Sequence, residues 1–136
     1  MIEAILEYAR RFIGAPYLYG GNGPHFDCSG YVCEVMKSFG VLKWNEDLKA
    51  QELFYRFQNN ETGPVPGSLV FFGTGHNGVN HVGLVTTATR YLEAGGGDST
   101  TVDLKSACRQ GAFVRERFLS TRKGHVGFYL PAWPTG

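Results

Sequence analysis

The stretch Phe26-Asp27-Cys28-Ser29-Gly30-Tyr31-Val32 stands between a loop-forming run and a segment of helical periodicity. The preceding residues 20–24, Gly-Gly-Asn-Gly-Pro, disfavour a helix. The apolar residues that follow recur as one buried helical face: Tyr31, Val32, Val35, Met36 and Phe39. Asp27 is therefore predicted to be the N-cap of a helix that ends at Phe39-Gly40, with Cys28 in its first turn.

A cysteine in the first turn of a helix is a candidate nucleophile. The positive end of the helix dipole and the unpaired backbone N–H groups stabilise a thiolate, and they can lower a thiol pKa from about 8.5 into the range of roughly 3.5–7.5. The alternative is that Cys28 is a small apolar core residue, as most cysteines of reduced proteins are. Taken alone, Cys28 favours neither interpretation.

Two longer strings resemble the motifs of a known family. The first is Gly14-Ala15-Pro16-Tyr17-Leu18-Tyr19-Gly20-Gly21 with residues 26–32, which closely resembles the opening motif of the NlpC/P60 cell-wall cysteine peptidases. Residues 67–72 followed by His81-Val82-Gly83 resemble the second motif, except that Ser68 stands where the family usually carries aspartate. Since that residue is expected to be structural, the resemblance implies a cysteine peptidase over nearly the whole chain.

Length and charge limit the possible classes of protein. The chain has 136 residues, 43% of them hydrophobic, and this predicts a single catalytic domain over residues 1–136. Its formal net charge is +1, so the sequence predicts no nucleic-acid partner. The basic residues cluster only near the C-terminal end, where Arg115, Arg117, Arg122 and Lys123 are predicted to form a solvated face.

The sequence also suggests where the protein acts. The N-terminus lacks the features of a secretory signal, and no apolar run approaches the ~20 residues that span a bilayer. We therefore expect cytoplasmic synthesis and no membrane insertion. The resemblance to cell-wall peptidases implies action at the cell wall or in the periplasm, and a monomer is expected. Delivery is expected through a phage particle or lysis system, a secretion machine, or a longer parent protein. Cys33 and Cys108 are expected to be structural or incidental thiols.

The order of elements predicts an α+β fold with N-terminal helices packed on an antiparallel sheet, and the resemblance implies that this fold is papain-like. Helical periodicity predicts a first helix over residues 2–13. A third helix is predicted to begin after Asn45 as its cap, with Glu46 and Asp47 in the first turn and a buried stripe of Ala50, Leu53, Phe54 and Phe57. Strands are predicted at residues 68–72, 81–87, 91–94 and 125–130. Residues 102–109 are predicted to be a strand running into a short helix, and residues 113–114 another strand.

A thiol nucleophile needs a base that later protonates the leaving amine, and histidine suits both steps near neutral pH. His81 occupies the position of the base in the second motif. His25 and His76 are alternatives, each with a chance of about one in ten, because geometry rather than sequence proximity decides the role. His125 repeats the His-Val-Gly triplet and is interpreted as a histidine at a sheet edge.

The residue that orients His81 departs from the commonest family pattern, in which a second histidine follows. Alignment with that segment places Glu93 in the position, and alternation puts Tyr91, Glu93 and Gly95 on one face of a strand. A carboxylate there would hold the imidazole tautomer and favour the imidazolium. Asp98, beyond a triple glycine, is the alternative, and we favour Glu93 by roughly two to one.

Further site residues follow from the same motif. The backbone N–H of Cys28 and the hydroxyl of Tyr17 are predicted to stabilise the oxyanion or contact substrate, with Tyr19 as a second choice. Asp27 and Ser29 match residues that line an amine pocket in some family members, although Asp27 could be only a helix cap. No paired ligand spacing indicates a metal, and no cofactor is predicted.

The resemblance implies, as the favoured function, a cysteine endopeptidase acting on peptidoglycan stem peptides, at the bond between the γ-carboxyl of D-glutamate and the diamino acid. A thiol acyltransferase or amidase of the same fold is the first alternative. The second is a non-catalytic virion or wall-binding component, which would need neither Cys28 nor His81.

Overall fold

The computed structural model describes residues 1–20 and 26–135. The helices are α1 (Ile2–Arg10), α2 (Cys28–Ser38), α3 (Ala50–Phe57) and α4 (Leu104–Gln110), with a 3₁₀ turn at Leu119–Thr121. The strands are β1 (Glu61–Thr62), β2 (Leu69–Gly73), β3 (Val79–Thr87), β4 (Arg90–Gly95), β5 (Phe113–Phe118) and β6 (His125–Tyr129). None of the described helices is long and apolar enough to cross a membrane.

The strands form one antiparallel sheet in the order β1-β6-β2-β3-β4-β5. One face packs on α1, α2 and α3 and carries the main core, with Phe71, Leu84 and Leu92 buried in it. A second cluster on the other face contains Val70, Phe72, Val85, Tyr91 and Leu119. The predicted α+β class, with early helices on an antiparallel sheet, is confirmed.

Helix α2 begins as predicted. Asp27 has extended backbone dihedrals, and its Oδ1 accepts a hydrogen bond of 2.7 Å from the backbone N–H of Gly30. This satisfies one of the free amides of the first turn and makes Asp27 the N-cap. The first turn of α2 therefore presents Cys28 at a fixed position.

Helix α1 ends at Arg10, three residues before the predicted end. Residues 11–14 form turns, and Ile13, which belongs to the apolar spacing of the predicted helix, is 48% exposed. The chain leaves the helix because Gly14 adopts a positive φ of 95° and donates a backbone hydrogen bond to Val114 in β5. A sheet contact thus replaces the last helical turn.

The predicted start of α3 is wrong. Glu46 does not lie in a first helical turn, because its carboxylate accepts a hydrogen bond from the backbone N–H of Lys43 and pairs with Arg56. The helix begins at Ala50, after Lys49 in extended conformation, and Glu52 accepts a hydrogen bond from the N–H of Lys49. The buried stripe is as predicted: Ala50, Leu53, Phe54 and Phe57.

Four of the predicted strands are present with ends shifted by one or two residues, and the strand predicted at residues 113–114 is longer, but residues 102–109 contain no strand. There Asp103 caps α4 by accepting a hydrogen bond from the N–H of Ser106. Strand β5 continues to Phe118 instead of ending at Val114, because its charged residues pair with β4 along its full length. The short β1 was not predicted from sequence.

Candidate active site

Cys28 lies where two connected hollows meet. It is half-buried and lines a cavity of about 360 Å³ together with Tyr17, His81, Asp98 and Arg122. Cys28 also lines a smaller hollow of about 220 Å³ on the side of Asp27 and Ser29. The structure therefore brings together the predicted nucleophile, base and tyrosine, although they come from three separate segments.

His81 is held in place by the sheet. It pairs with Phe72 in the neighbouring strand β2, and the two rings lie 5.5 Å apart between centroids. The side chain is buried, and its Nε2 lies 2.7 Å from Oε1 of Glu93. Glu93, and not Asp98, is thus the carboxylate that bonds to the imidazole.

The carboxylate of Glu93 is fully buried and lies at the centre of a polar network. Its Oε1 also accepts a hydrogen bond of 2.7 Å from the hydroxyl of Tyr91. Its Oε2 accepts one of 2.9 Å from Nε of Arg115, and Arg117 Nη1 lies 3.5 Å away. The shared face predicted for Tyr91 and Glu93 is confirmed.

The basic residues near the C-terminal end do not form the predicted solvated face. Arg115, Arg117 and Arg122 converge on Glu93, and about a third of each side chain is exposed. The register of the β4–β5 pair explains this, because it places Arg115 opposite Glu93 and Arg117 opposite Tyr91. Sequence reasoning did not connect these arginines with Glu93, and the antiparallel pairing of β4 with β5 in this register would have shown Arg115 and Arg117.

The network determines the protonation of the Glu93–His81 pair. Burial by itself raises the pKa of Glu93, but the hydrogen bond and charge of His81, with hydrogen bonds from Tyr91 and Arg115, bring that pKa well below its usual range. Since an ionised carboxylate only accepts hydrogen bonds, Nε2 of His81 carries the proton. Nδ1 is then the nitrogen that can accept another proton.

The pKa of His81 is nevertheless lowered from its ordinary value. Burial lowers its pKa, and this outweighs the hydrogen bond and the charge of Glu93, while Arg122 and Arg115 lower the pKa further. The carboxylate thus favours the imidazolium, as expected, but its effect on the pKa of His81 is smaller than that of burial. The surrounding guanidinium groups oppose a further positive charge on the ring.

The expected low thiol pKa is also wrong for Cys28. Burial, followed by the negative charge of Asp27, raises the pKa of Cys28 to about 11. The backbone N–H groups of Val82 and Ser29 and the charge of Arg122 act in the opposite direction but are weaker. The helix start thus lowers the pKa of Cys28 less than desolvation raises it, and the neutral thiol is favoured over the thiolate near neutral pH.

Tyr17 is only 8% exposed and lies beside the thiol cavity. Burial, with smaller contributions from the charges of Cys28 and Asp27, raises its pKa far above its ordinary value, so the hydroxyl remains protonated. Gly97 is required next to it, because a Cβ there would collide with the ring. Tyr19 lines the same cavity but is 60% exposed.

Asp27 faces the smaller hollow while it caps α2. Its Oδ2 accepts a hydrogen bond of 3.1 Å from the N–H of Gly20, and Nζ of Lys49 lies 3.8 Å away. The hydroxyl of Ser29 donates to Oδ1 at 3.4 Å. The two predicted functions of Asp27, helix cap and cavity residue, are therefore compatible.

The remaining candidates lie elsewhere or have other partners. The Oδ1 of Asp98 accepts hydrogen bonds from the backbone and hydroxyl of Thr100. His76 stacks on Phe54, and Nε2–H of His125 faces two backbone carbonyls. His25 lies outside the described residues. Within the described ranges, no group of three or more His, Cys, Asp or Glu side chains could hold a metal ion.

Comparison with known proteins identifies the family to which this chain belongs. The model of the NlpC/P60 family matches residues 14–123, which include the cavity residues described above. The chain belongs to the NlpC/P60 family. The family resemblance inferred from the two motifs is confirmed, and the matched region ends just beyond Arg122.

Two curated relatives of this NlpC/P60 chain are bacterial hydrolases. The probable endopeptidase p60 of Listeria monocytogenes is 37% identical over 81 residues, which are 59% of this chain and 16% of the relative. The gamma-DL-glutamyl hydrolase of Bacillus subtilis is 29% identical over 113 residues, which are 75% of this chain and 25% of the relative. The match thus spans a quarter or less of each relative's length.

The fold agrees with that of a solved family member. A crystal structure of an NlpC/P60 family protein from Bacillus cereus superposes with a TM-score of 0.74 at 21% identity, covering 96% of this chain and 41% of the other. The NlpC/P60 fold predicted from the sequence is therefore confirmed.

Proposed function

We propose that this protein is a cysteine peptidase that hydrolyses the bond between the γ-carboxyl of D-glutamate and the diamino acid in peptidoglycan stem peptides. The observation that carries the proposal is the arrangement around one cavity. Cys28 stands at the start of α2, and His81 lines the same cavity with Glu93 on its far nitrogen. The names of the two curated relatives, an endopeptidase and a γ-glutamyl hydrolase, support this chemistry.

In the first step, the thiol of Cys28 attacks the amide carbonyl and a C–S bond forms while Nδ1 of His81 takes the thiol proton. Glu93 stabilises the imidazolium formed in this step. The oxyanion receives hydrogen bonds from the backbone N–H of Cys28 and from Tyr17, which the raised pKa keeps protonated. Collapse breaks the C–N bond, and His81 protonates the departing amine.

In the second step, water attacks the thioester while His81 accepts a proton from it. The C–S bond breaks, the glutamyl carboxylate leaves, and the proton returns to the thiol. Asp27 and Ser29 line the hollow on the other side of Cys28 and bind the acyl side of the substrate. Residues 1–136 act as one catalytic domain and as a monomer in this proposal.

The test is cleavage of a purified stem peptide, followed by mass spectrometry of the products with and without an added amine acceptor. Cys28→Ala should abolish cleavage and leave the circular dichroism spectrum unchanged. Cys108→Ala is the matched control, since this thiol is exposed and away from the cavity, and should retain full activity. Turnover by Cys28→Ala would refute the proposal, and products joined to the added amine would identify an acyltransferase instead.

A further inference from the structure

Arg122 is a cavity residue that the proposed reaction does not use. It follows the 3₁₀ turn Leu119–Thr121 and lines the cavity that contains Cys28 and His81. Its backbone carbonyl accepts a hydrogen bond of 2.9 Å from Nε2–H of His125. Its guanidinium carbon lies 5.4 Å from the centroid of the Phe72 ring. Both the backbone and the side chain of Arg122 are therefore held in place.

The protein only partly neutralises this guanidinium. Nε of Arg122 lies 3.6 Å from Oε1 of Glu93, which is longer than a hydrogen bond, and that oxygen already accepts from His81 and Tyr91. Among the residues that the structure describes, this buried Nε has no hydrogen-bond partner. One carboxylate thus faces three guanidinium groups, and Arg115 makes the closest pair with it.

Asp98 is the other charged residue of the same cavity. Its carboxylate is bonded to Thr100, and within the described residues no ion pair joins it to Arg122. About a third of the Arg122 side chain is exposed. The cavity wall beside the thiol therefore has a positive charge that can pair with an anionic group of a ligand.

A γ-linked glutamyl residue carries such a group. Its α-carboxylate is free and lies only a few bonds from the γ-carbonyl, whereas an ordinary α-peptide bond uses that carboxylate. Arginine binds a carboxylate through two parallel hydrogen bonds, which gives both strength and orientation. We propose that Arg122 binds the α-carboxylate of the γ-linked glutamyl residue whose carbonyl Cys28 attacks. This assignment rests on the proposed function and extends it to how the γ-linkage is recognised.

Three peptides that differ in one group test the assignment. The first has the free glutamyl α-carboxylate, the second an α-carboxamide there, and the third a carboxamide only on the diamino acid. The wild-type protein should cleave the first and third with a kcat/KM about 10- to 100-fold higher than the second. Arg122→Gln should remove this preference, mainly by raising KM for the first peptide, and Arg122→Lys should restore part of it.

Arg117→Gln is the matched control, because Arg117 lies a similar 3.5 Å from Glu93 but does not line the cavity. Arg117→Gln should still cleave the first peptide with a higher kcat/KM than the second, whatever its absolute rate. If Arg122→Gln lowered kcat/KM equally for the first and second peptides, the assignment would be overturned. If the third peptide, rather than the second, were cleaved slowly, the assignment would also be overturned. The bound carboxylate would then belong to the leaving diamino acid.

Calorimetry with Cys28→Ala separates this inference from the proposed hydrolysis. The variant should bind the first peptide about 10- to 100-fold more tightly than the second, and adding Arg122→Gln should abolish the difference. If the wild-type protein cleaves none of the peptides but this difference remains, the hydrolase proposal fails and the binding role is supported. If no difference in binding exists, the role of Arg122 is refuted.

Discussion

The two buried carboxylates Asp27 and Glu93 receive their hydrogen bonds from different kinds of donor. Asp27 accepts hydrogen bonds from the backbone amides of Gly30 and Gly20, which are three and seven positions away. Glu93 accepts from side chains of His81 and Arg115, which are 12 and 22 positions away. The first carboxylate is part of a local helix start, whereas the second depends on the assembled sheet.

This difference predicts different energetic costs. A helix N-cap contributes only about 0.5–2 kcal/mol to the free energy of unfolding, because water can replace part of the hydrogen bonding that the capping side chain provides. Removing one partner of a buried ion pair costs about 3–5 kcal/mol, because the remaining charges are left without compensation. Glu93 has three guanidinium groups around it, so its removal should affect both stability and chemistry.

The largest effect is expected for Glu93→Gln. The kcat on a stem peptide should fall on the order of 10³- to 10⁴-fold, because an amide no longer fixes the His81 tautomer or stabilises the imidazolium. The free energy of unfolding, from denaturant titration, should fall by about 3–5 kcal/mol. Asp98→Asn is the control and should have little effect on kcat. A large loss in Asp98→Asn with little change in Glu93→Gln would reverse the assignment.

The second effect concerns the thiol. With a pKa of about 11, Cys28 should react with iodoacetamide about tenfold faster per pH unit, and thus about 100-fold faster at pH 9 than at pH 7. The measurement uses a Cys33→Ser, Cys108→Ser background. Asp27→Asn should shift the profile to lower pH, because the charge of Asp27 raises the thiol pKa. A rate that is already constant by pH 7 would instead indicate a thiolate–imidazolium pair at rest.

The third effect is loss of stability in acid. His81 has a lowered pKa in the folded protein, so below about pH 6.5 the unfolded chain binds a proton that the folded chain does not. Glu93, whose pKa is also lowered, acts in the same direction below about pH 4.5. The free energy of unfolding should fall by up to about 1.4 kcal/mol per pH unit for each group. His81→Asn should flatten the upper part of this profile, and an unchanged slope would contradict the assignment.

The smallest effect is expected for Asp27, whose carboxylate bonds to backbone amides close to it in sequence. Asp27→Ala should lower the free energy of unfolding by about 1 kcal/mol in denaturant titration. Asp103→Ala is the matched control, because Asp103 caps α4 in the same way and does not line the cavity. The two losses should be similar. If Asp27→Ala alone lowered the free energy of unfolding by about 3 kcal/mol or more, Asp27 would contribute to stability as strongly as Glu93 is expected to, and the contrast between the two carboxylates would be wrong.

Boundaries and environments were predicted less well than element types. The start of α3 was placed at Asn45 because acidic residues follow it, but Glu46 is engaged with Lys43 and Arg56 instead. Strand β5 was predicted to end at Val114, although the register with β4 places Arg115, Glu116 and Arg117 opposite residues of that strand. In both cases, contacts distant in sequence outweighed a local preference.

The sequence by itself determined the α+β class, the cap at Asp27, and Cys28, His81 and Glu93 as site candidates. The class, the cap and the position of Cys28 at a helix start depend on periodicity and capping, which short segments of sequence contain, whereas His81 and Glu93 were identified through the resemblance to the family motifs. Only the tertiary structure decided that three arginines surround Glu93, that Arg122 lines the thiol cavity, and that the pKa of Cys28 is raised. Burial and charge are summed over residues far apart in sequence, so the folded chain alone determines their balance.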